Sequence, residues 1–358
     1  MYAFTWGALL DKNNNIWIPI SNTKSLIKIN EYGKVQYIGE LMLDMTSDEN
    51  CILKVLETDN NIIFFARETF EAWIVDKSTL QMSYMLYCDK PQTRIADIVQ
   101  VGNMAVILPF SKETSICLYD LNEKKIEEIA WKNKPDVTAM LFVRAAIKSM
   151  YVYTAIRNLD NVYICKIDLI HKVASFFKID VRMINALNVY DGYLWLFVLN
   201  KNNETVLWKY SEKSGEIIDE YILHNIEPIS ELGDLKYFKI EIYENKVFFI
   251  PSFATHIYVY DLSIKEGAYL NYPQQLEVAR INDRLSFLEI QRKDSELYLF
   301  PCGFSKIIKL NLKDEKIEAL DLTIDENISK RILSYSLKDN KMLKENYPAT
   351  LKDYIRVL

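Results

Sequence analysis

The sequence predicts an all-β fold, a seven-bladed β-propeller of four-stranded antiparallel blades. Three observations predict it. An apolar run recurs along the chain and ends at Pro19, Ala66, Pro109, Thr154, Leu199, Pro251 and Pro301, at successive spacings of 47, 43, 45, 45, 52 and 50 residues. A second, alternating run follows each time and ends at Asn30, Asp76, Asp120, Asp168, Ser211, Asp261 and Asn311, 10 to 14 residues later. The composition suits pleated, half-buried strands, with 23 Tyr and 16 Phe against only 9 Gly. A four-stranded meander at this period is the signature of propeller blades, because one twisted blade buries its faces only against neighbours.

Taken in order, the blades cover roughly 1–39, 50–87, 94–131, 138–178, 183–223, 235–272 and 284–322 of a 1–325 propeller. In the third copy the four runs are Ile95–Gln100, Met104–Pro109, Ser115–Asp120 and Lys125–Ala130. In the sixth they are Lys236–Tyr243, Lys246–Pro251, His256–Tyr260 and Ala268–Asn271. First and second runs are joined by tight-turn residues such as Gly102-Asn103, Asp191-Gly192 and Glu244-Asn245. Asn, Asp and Gly tolerate the positive φ that short hairpins need. Runs apolar on both faces, such as Val247–Ile250, fit positions sandwiched between blades. The remaining 326–358 form a tail. Ile332–Leu337 alternates weakly and could add a strand to an edge, while Leu351, Tyr354, Ile355 and Leu358 make a helical stripe near 350–358. That helix is expected to dock on the propeller, or else to bind a partner.

Bulk properties narrow the function classes. With 43 basic and 49 acidic side chains the formal net charge is −6, which disfavours nucleic acid as the main partner. No apolar run approaches the length of a membrane span, so no membrane association is expected. Cys51, Cys88, Cys117, Cys165 and Cys302 are odd in number and scattered, which points to reduced, partly buried thiols. The N-terminal stretch lacks a basic leader and a cleavage pattern. These features together predict a cytoplasmic protein; a bacterial origin is expected alongside that reading.

Leu10–Val35 resembles the repeats of the NHL and virginiamycin-B-lyase-like propellers, whose pattern runs Asp-x-x-Gly-x-Ile-Trp, then Ile-x-x-Ile-Asp, then Gly-x-Val. Asp191–Trp195 with Gly215–Ile217 resembles it again, while His256–Leu262 and Ser115–Leu121 look like the third strand of kelch or WD-type blades. The resemblance covers about residues 1–325. It implies ligand sites on the face formed by the loops between second and third strands, at the mouth of a central channel. For the lyase-like enzymes it also implies a histidine, a carboxylate and a divalent metal on that face. No position of this chain matches their catalytic motif residue by residue.

Each second-to-third-strand loop holds or abuts a cation or imidazole: Lys24, Arg67, Lys112, Arg157, Lys201, His256 and Lys306. A ring of such groups would attract a small anion or an acidic peptide. Glu68, Glu71, Glu113, Asp160 and Glu204 share those loops and would offset the field. The inter-blade connections add Arg94, Asp97, Arg280, Asp283 and Arg284. The longest connection carries His224, Glu227, Glu231 and Asp234 and leads into the blade whose loop ends at His256. Two imidazoles and several carboxylates in one sector have the composition of an acid–base pair or a divalent-metal site. Solvated loops are equally acidic. The leading expectation is a non-catalytic binding or scaffold propeller for a protein or peptide partner, with no cofactor. The alternatives are a lyase or hydrolase acting on a small molecule, with His256, His224, Glu231 and Asp234 as candidate catalytic groups, and a carbohydrate-recognition module.

Overall fold

The computed structural model describes residues 3–4, 7–20, 24–41, 52–67, 69–87, 95–109, 115–133, 135, 141–142, 144–157, 161–227, 236–252, 254–271, 287–301, 303–304, 307–320, 323, 325–328 and 330. They form seven blade sheets, one per predicted copy, and a separate two-stranded pairing; the antiparallel strands of each blade run in sequence order, and the fourth blade's sheet takes in one further, parallel strand. The fold is a seven-bladed β-propeller. The chain divides into two compact units. Residues 90–271 hold the third to sixth blades; 1–89 and 272–358 hold the first, second and seventh.

Within the first of these units the blades pack face to face. Trp195, Phe197 and Leu207 of the fifth blade meet Tyr237, Phe249, Tyr258 and Tyr260 of the sixth. Ile164 of the fourth meets Leu196 and Trp208 of the fifth. Val106 and Leu118 of the third meet Val152, Ile156 and Cys165 of the fourth. Burying one such large side chain contributes about 2–3 kcal/mol. Burial also raises the Cys165 thiol far above its ordinary value, which makes it an inert core group. In the other unit, Trp17 and Leu26 pack on Phe64 and Trp73, and Ile16 and Ile18 on Phe300 and Ile307.

The turns follow the local chemistry. Asp191 and Gly192 adopt φ of 49° and 79°, and Glu244 adopts 52°, so these hairpins use the left-handed region. The recurring acid at the end of the third strand closes the next turn. Asp76 Oδ1 accepts from the N–H groups of Ser78 (2.9 Å) and Thr79 (2.7 Å). Asp120 does the same for Asn122 and Glu123, and Asp168 for Ile170 and His171. Asp11 ties its own hairpin through Asn13 N and Asn15 N, both at 2.8 Å, and also takes the Trp17 indole N–H at 2.8 Å.

First strands carry buried ion pairs. Lys54 meets Glu289 at 2.9 Å, and Arg144, just ahead of its strand, meets Asp97 at 3.0 Å, with both carboxylates 4% exposed.

Two features depart from the simple repeat. The fourth strand of the third blade stops at Glu128, and Ala130–Lys132 crosses over to pair in parallel with Val173–Ser175 of the fourth blade. The sequence pattern predicts Lys125–Ala130 as one strand. After the seventh blade, Thr323 bridges Lys34 in the same parallel sense, with Thr323 N donating to Gly33 O and Val35 N to Thr323 O. Ala3–Phe4 pairs antiparallel with Gly303–Phe304. Both contacts join the seventh blade, or its exit, to the first, so terminal strand exchange is not how the four strands of either blade are made. Helical backbone occurs at 326–328, and Lys330 pairs with Glu326 at 2.6 Å. Ile332–Leu337 and the helix expected near 350–358 lie outside the described residues. No described helix is long and apolar enough to cross a membrane.

Candidate functional site

The second-to-third-strand loops and the connections between blades are built from short polar segments whose side chains bond locally. In the unit holding the first, second and seventh blades, Lys24 sits in left-handed backbone at φ 52°, and its carbonyl accepts Leu41 N at 2.7 Å. Arg67 is half-buried. Beside it, Glu71 accepts from the Thr69 hydroxyl and from Tyr84 OH, both at 2.8 Å. The loop carboxylate is thereby fixed, and Tyr84 is raised by that bond first and by burial second.

In the other unit, Arg157 ends the strand Tyr151–Arg157, its backbone paired with Val162 and Leu141. Lys201 is exposed on the fifth blade's loop and ion-paired with Asp180. Asn200 organises that loop: its side-chain oxygen accepts Asn202 N (3.0 Å) and Glu204 N (2.9 Å), and its amide donates to Glu204 Oε2 (2.8 Å). Asp97 is buried against Arg144 rather than offered to a ligand. Lys112, Lys306, Glu231, Asp234, Arg94, Arg280, Asp283 and Arg284 lie outside the described residues.

The sixth blade's loop is the best-defined constellation. Glu227 reaches in from the preceding connection, and its Oε1 accepts both the backbone N–H of Thr255, at 2.7 Å, and the Thr255 hydroxyl. Thr255 Oγ1 in turn lies 2.9 Å from His256 Nδ1. A hydroxyl has one proton, and here it points at the carboxylate. Oγ1 can therefore only accept at the imidazole, so His256 carries its proton on Nδ1. From below, Tyr237 OH donates to His256 O at 3.2 Å, and the Tyr269 ring lies 5.7 Å from the imidazole. Burial raises the Tyr269 phenol, and the charge of Glu227 raises it further. Tyr258, packed at 5.2 Å on Tyr269, is pushed by burial up to about 12. These phenols stay neutral and act as packed hydrogen-bonding walls.

The sequence pairing of His256 with the long connection is thus realised through Glu227. His224 is exposed on the turn after the fifth blade and takes no part in this network. Thr255, Tyr237 and Tyr269 were missed, because a Thr in a polar loop and a Tyr in a strand carry no signal of their own. Among the described residues, no three of His, Cys, Asp and Glu come together as metal ligands would.

No protein-family model and no curated protein matches the chain. Solved structures do. Virginiamycin B lyase from Staphylococcus aureus aligns with 90% of this chain and 96% of its own at 13% identity and a TM-score of 0.59. Sqt1 from Saccharomyces cerevisiae aligns with 88% of this chain and 85% of its own at 10% identity and 0.56. A chain of the mitotic checkpoint complex covers 90% of this chain and 87% of its own at 9% identity and 0.53. At these identities the likeness establishes the propeller fold, which enzymes and members of protein assemblies share.

Proposed function

We propose that the chain is a non-catalytic binding propeller that recognises a protein or peptide partner through its second-to-third-strand loops. The observation that carries this reading is how the loop carboxylates are used. Glu227 holds Thr255, Glu71 holds Thr69 and Tyr84, and Lys201 is matched by Asp180. Groups committed in this way fix loop shape in advance, which lowers the ordering cost of binding. A general base would instead turn its carboxylate towards a substrate. The similarity to a chain of a multiprotein complex supports the same reading. The test is capture of partners on the immobilised chain, compared with Thr255→Val and Arg67→Glu. Loss of one specific partner in either variant is expected; capture indifferent to both would overturn the proposal.

A second reading is favoured by one detail. The His256 imidazole is held through Nδ1 by Thr255, which fixes the direction of the ring, and a catalytically inactive histidine-to-alanine variant has been solved for the S. aureus lyase. A lyase or hydrolase reading requires that His256→Ala abolish turnover while leaving substrate binding intact.

A further inference from the structure

We propose that a cleft between the fourth and fifth blades binds a small organic anion, a carboxylate or phosphate carried on a flat ring. The cleft encloses ≈ 440 Å³, within the range of small-molecule sites. Its walls are Lys148, Tyr151, Tyr153 and Lys166 of the fourth blade and Tyr193 and Glu212 of the fifth. Turn residues Gly192 and Lys213 also line it, so it opens at the hairpin end of these blades, opposite the loops that carry Arg157 and Lys201.

The cleft already holds one carboxylate. Glu212 Oε1 accepts from the Lys166 ammonium, and Oε2 accepts from Tyr153 OH. Burial pushes Glu212 upward, but the hydrogen bonds from Lys166 and Tyr153, then the charges of Lys166 and Lys148, hold it below its ordinary value. Glu212 is thus an internal anion on a receptor for anions. The cations exceed what it needs. Lys148, Lys166 and Lys213 face Glu212 and the exposed Asp191. The Lys148 ammonium donates at 2.9 Å to Gly192 O, a neutral acceptor that positions the charge without cancelling it. Lys213 is exposed and makes no ion pair among the described residues.

The walls are aromatic and braced. Lys166 lies 4.3 Å from the Tyr151 ring centre, and Lys209 lies 4.4 Å from that of Tyr193. Each cation stiffens its ring by attraction to the π face. An anionic head on Lys148 and Lys213, with a flat body against tyrosine, matches both halves of the cleft.

The test uses the full chain with benzoate and adenosine 5′-monophosphate as probes, and benzamide and adenosine as neutral controls, read by calorimetric titration. At least one anion is expected to bind saturably with a Kd below about 1 mM, and its control far more weakly. Benzoate alone would mark a ring carboxylate; the nucleotide alone would mark a nucleoside phosphate. Lys148→Met and, independently, Lys213→Met are each expected to weaken binding about tenfold. Glu212→Gln is expected to tighten it, because Lys166 is released. Thr255→Val at the loop end should leave it unchanged, which separates this proposal from the function proposed above. Absence of saturable binding by either anion up to about 10 mM overturns the proposal. So does equal binding of anion and neutral control, or full affinity in both lysine variants.

Discussion

The two ends of the blades within residues 90–271 use the same side chains differently. At the loop end, Glu227 accepts the N–H and hydroxyl of one residue, Thr255, and the next group in line is His256. At the hairpin end, Glu212 accepts an ammonium and a phenol, and open volume lies beside it. A carboxylate that meets backbone closes a loop. A carboxylate that meets a lysine at the wall of a cavity can be displaced, because another anion can take over the same donors. The difference lies in the donors rather than in the acid.

Breaking the wall behind the loop end should have the largest effect. Gly267 lies against the buried Tyr258; a Cβ there would overlap the phenol oxygen and ring. Gly267→Ala is expected to destabilise the chain by about 3 kcal/mol, read as a shifted denaturation midpoint. A neutral result would mean that Tyr258 and Tyr269 do not hold the His256 loop. Next, Glu227→Ala removes the acceptor of two Thr255 donors and should cost about 2 kcal/mol. The matched change at the other end, Glu212→Gln, keeps hydrogen-bonding capacity beside solvent and should cost less than about 1 kcal/mol. Equal losses would erase the contrast.

The smallest effect is confined to acid. Asp76 is depressed from 3.8 to about 2, first by the Ser78 hydroxyl and then by the N–H and hydroxyl of Thr79. A depressed acid stabilises fully above its unfolded value, so this contribution is complete above pH 3.8 and drains away as pH falls towards about 2. Asp261 is lowered by Ser263 and follows the same sign. Urea midpoints across this window should fall more steeply for the wild type than for Asp76→Asn. Parallel acid limbs would show that these turn acids do not couple to folding.

The blades were legible because their signal is local. Each apolar run and turn sits within one copy, and Lys246–Pro251 is a strand over its full expected span. Ala130–Lys132 was misplaced because its partner, Val173–Ser175, lies in the next blade, and three residues, Ala-Trp-Lys, have no period to read. The Asp, Asn or Ser ending each third strand was visible as a repeat, but its task as a turn closure needed the backbone positions. At the candidate site, His256 and Glu227 could be brought together because loop and connection are consecutive features of one blade. The cleft was invisible because Lys148, Lys166 and Glu212 come from three separate strands or turns, and each alone reads as a solvated residue.

The pairing of Ala3–Phe4 with Gly303–Phe304, and of Lys34 with Thr323, also sets an order of events. A polypeptide leaves the ribosome N-terminus first. The first blade therefore emerges with two of its backbone partners not yet translated. Closing a loop of this length costs ~5 kcal/mol of chain entropy, met only when the late segments arrive with their own packing. The earliest-made blade is thus among the last to be completed, and its exposed wait is where a chaperone or a misfolding neighbour would find this chain.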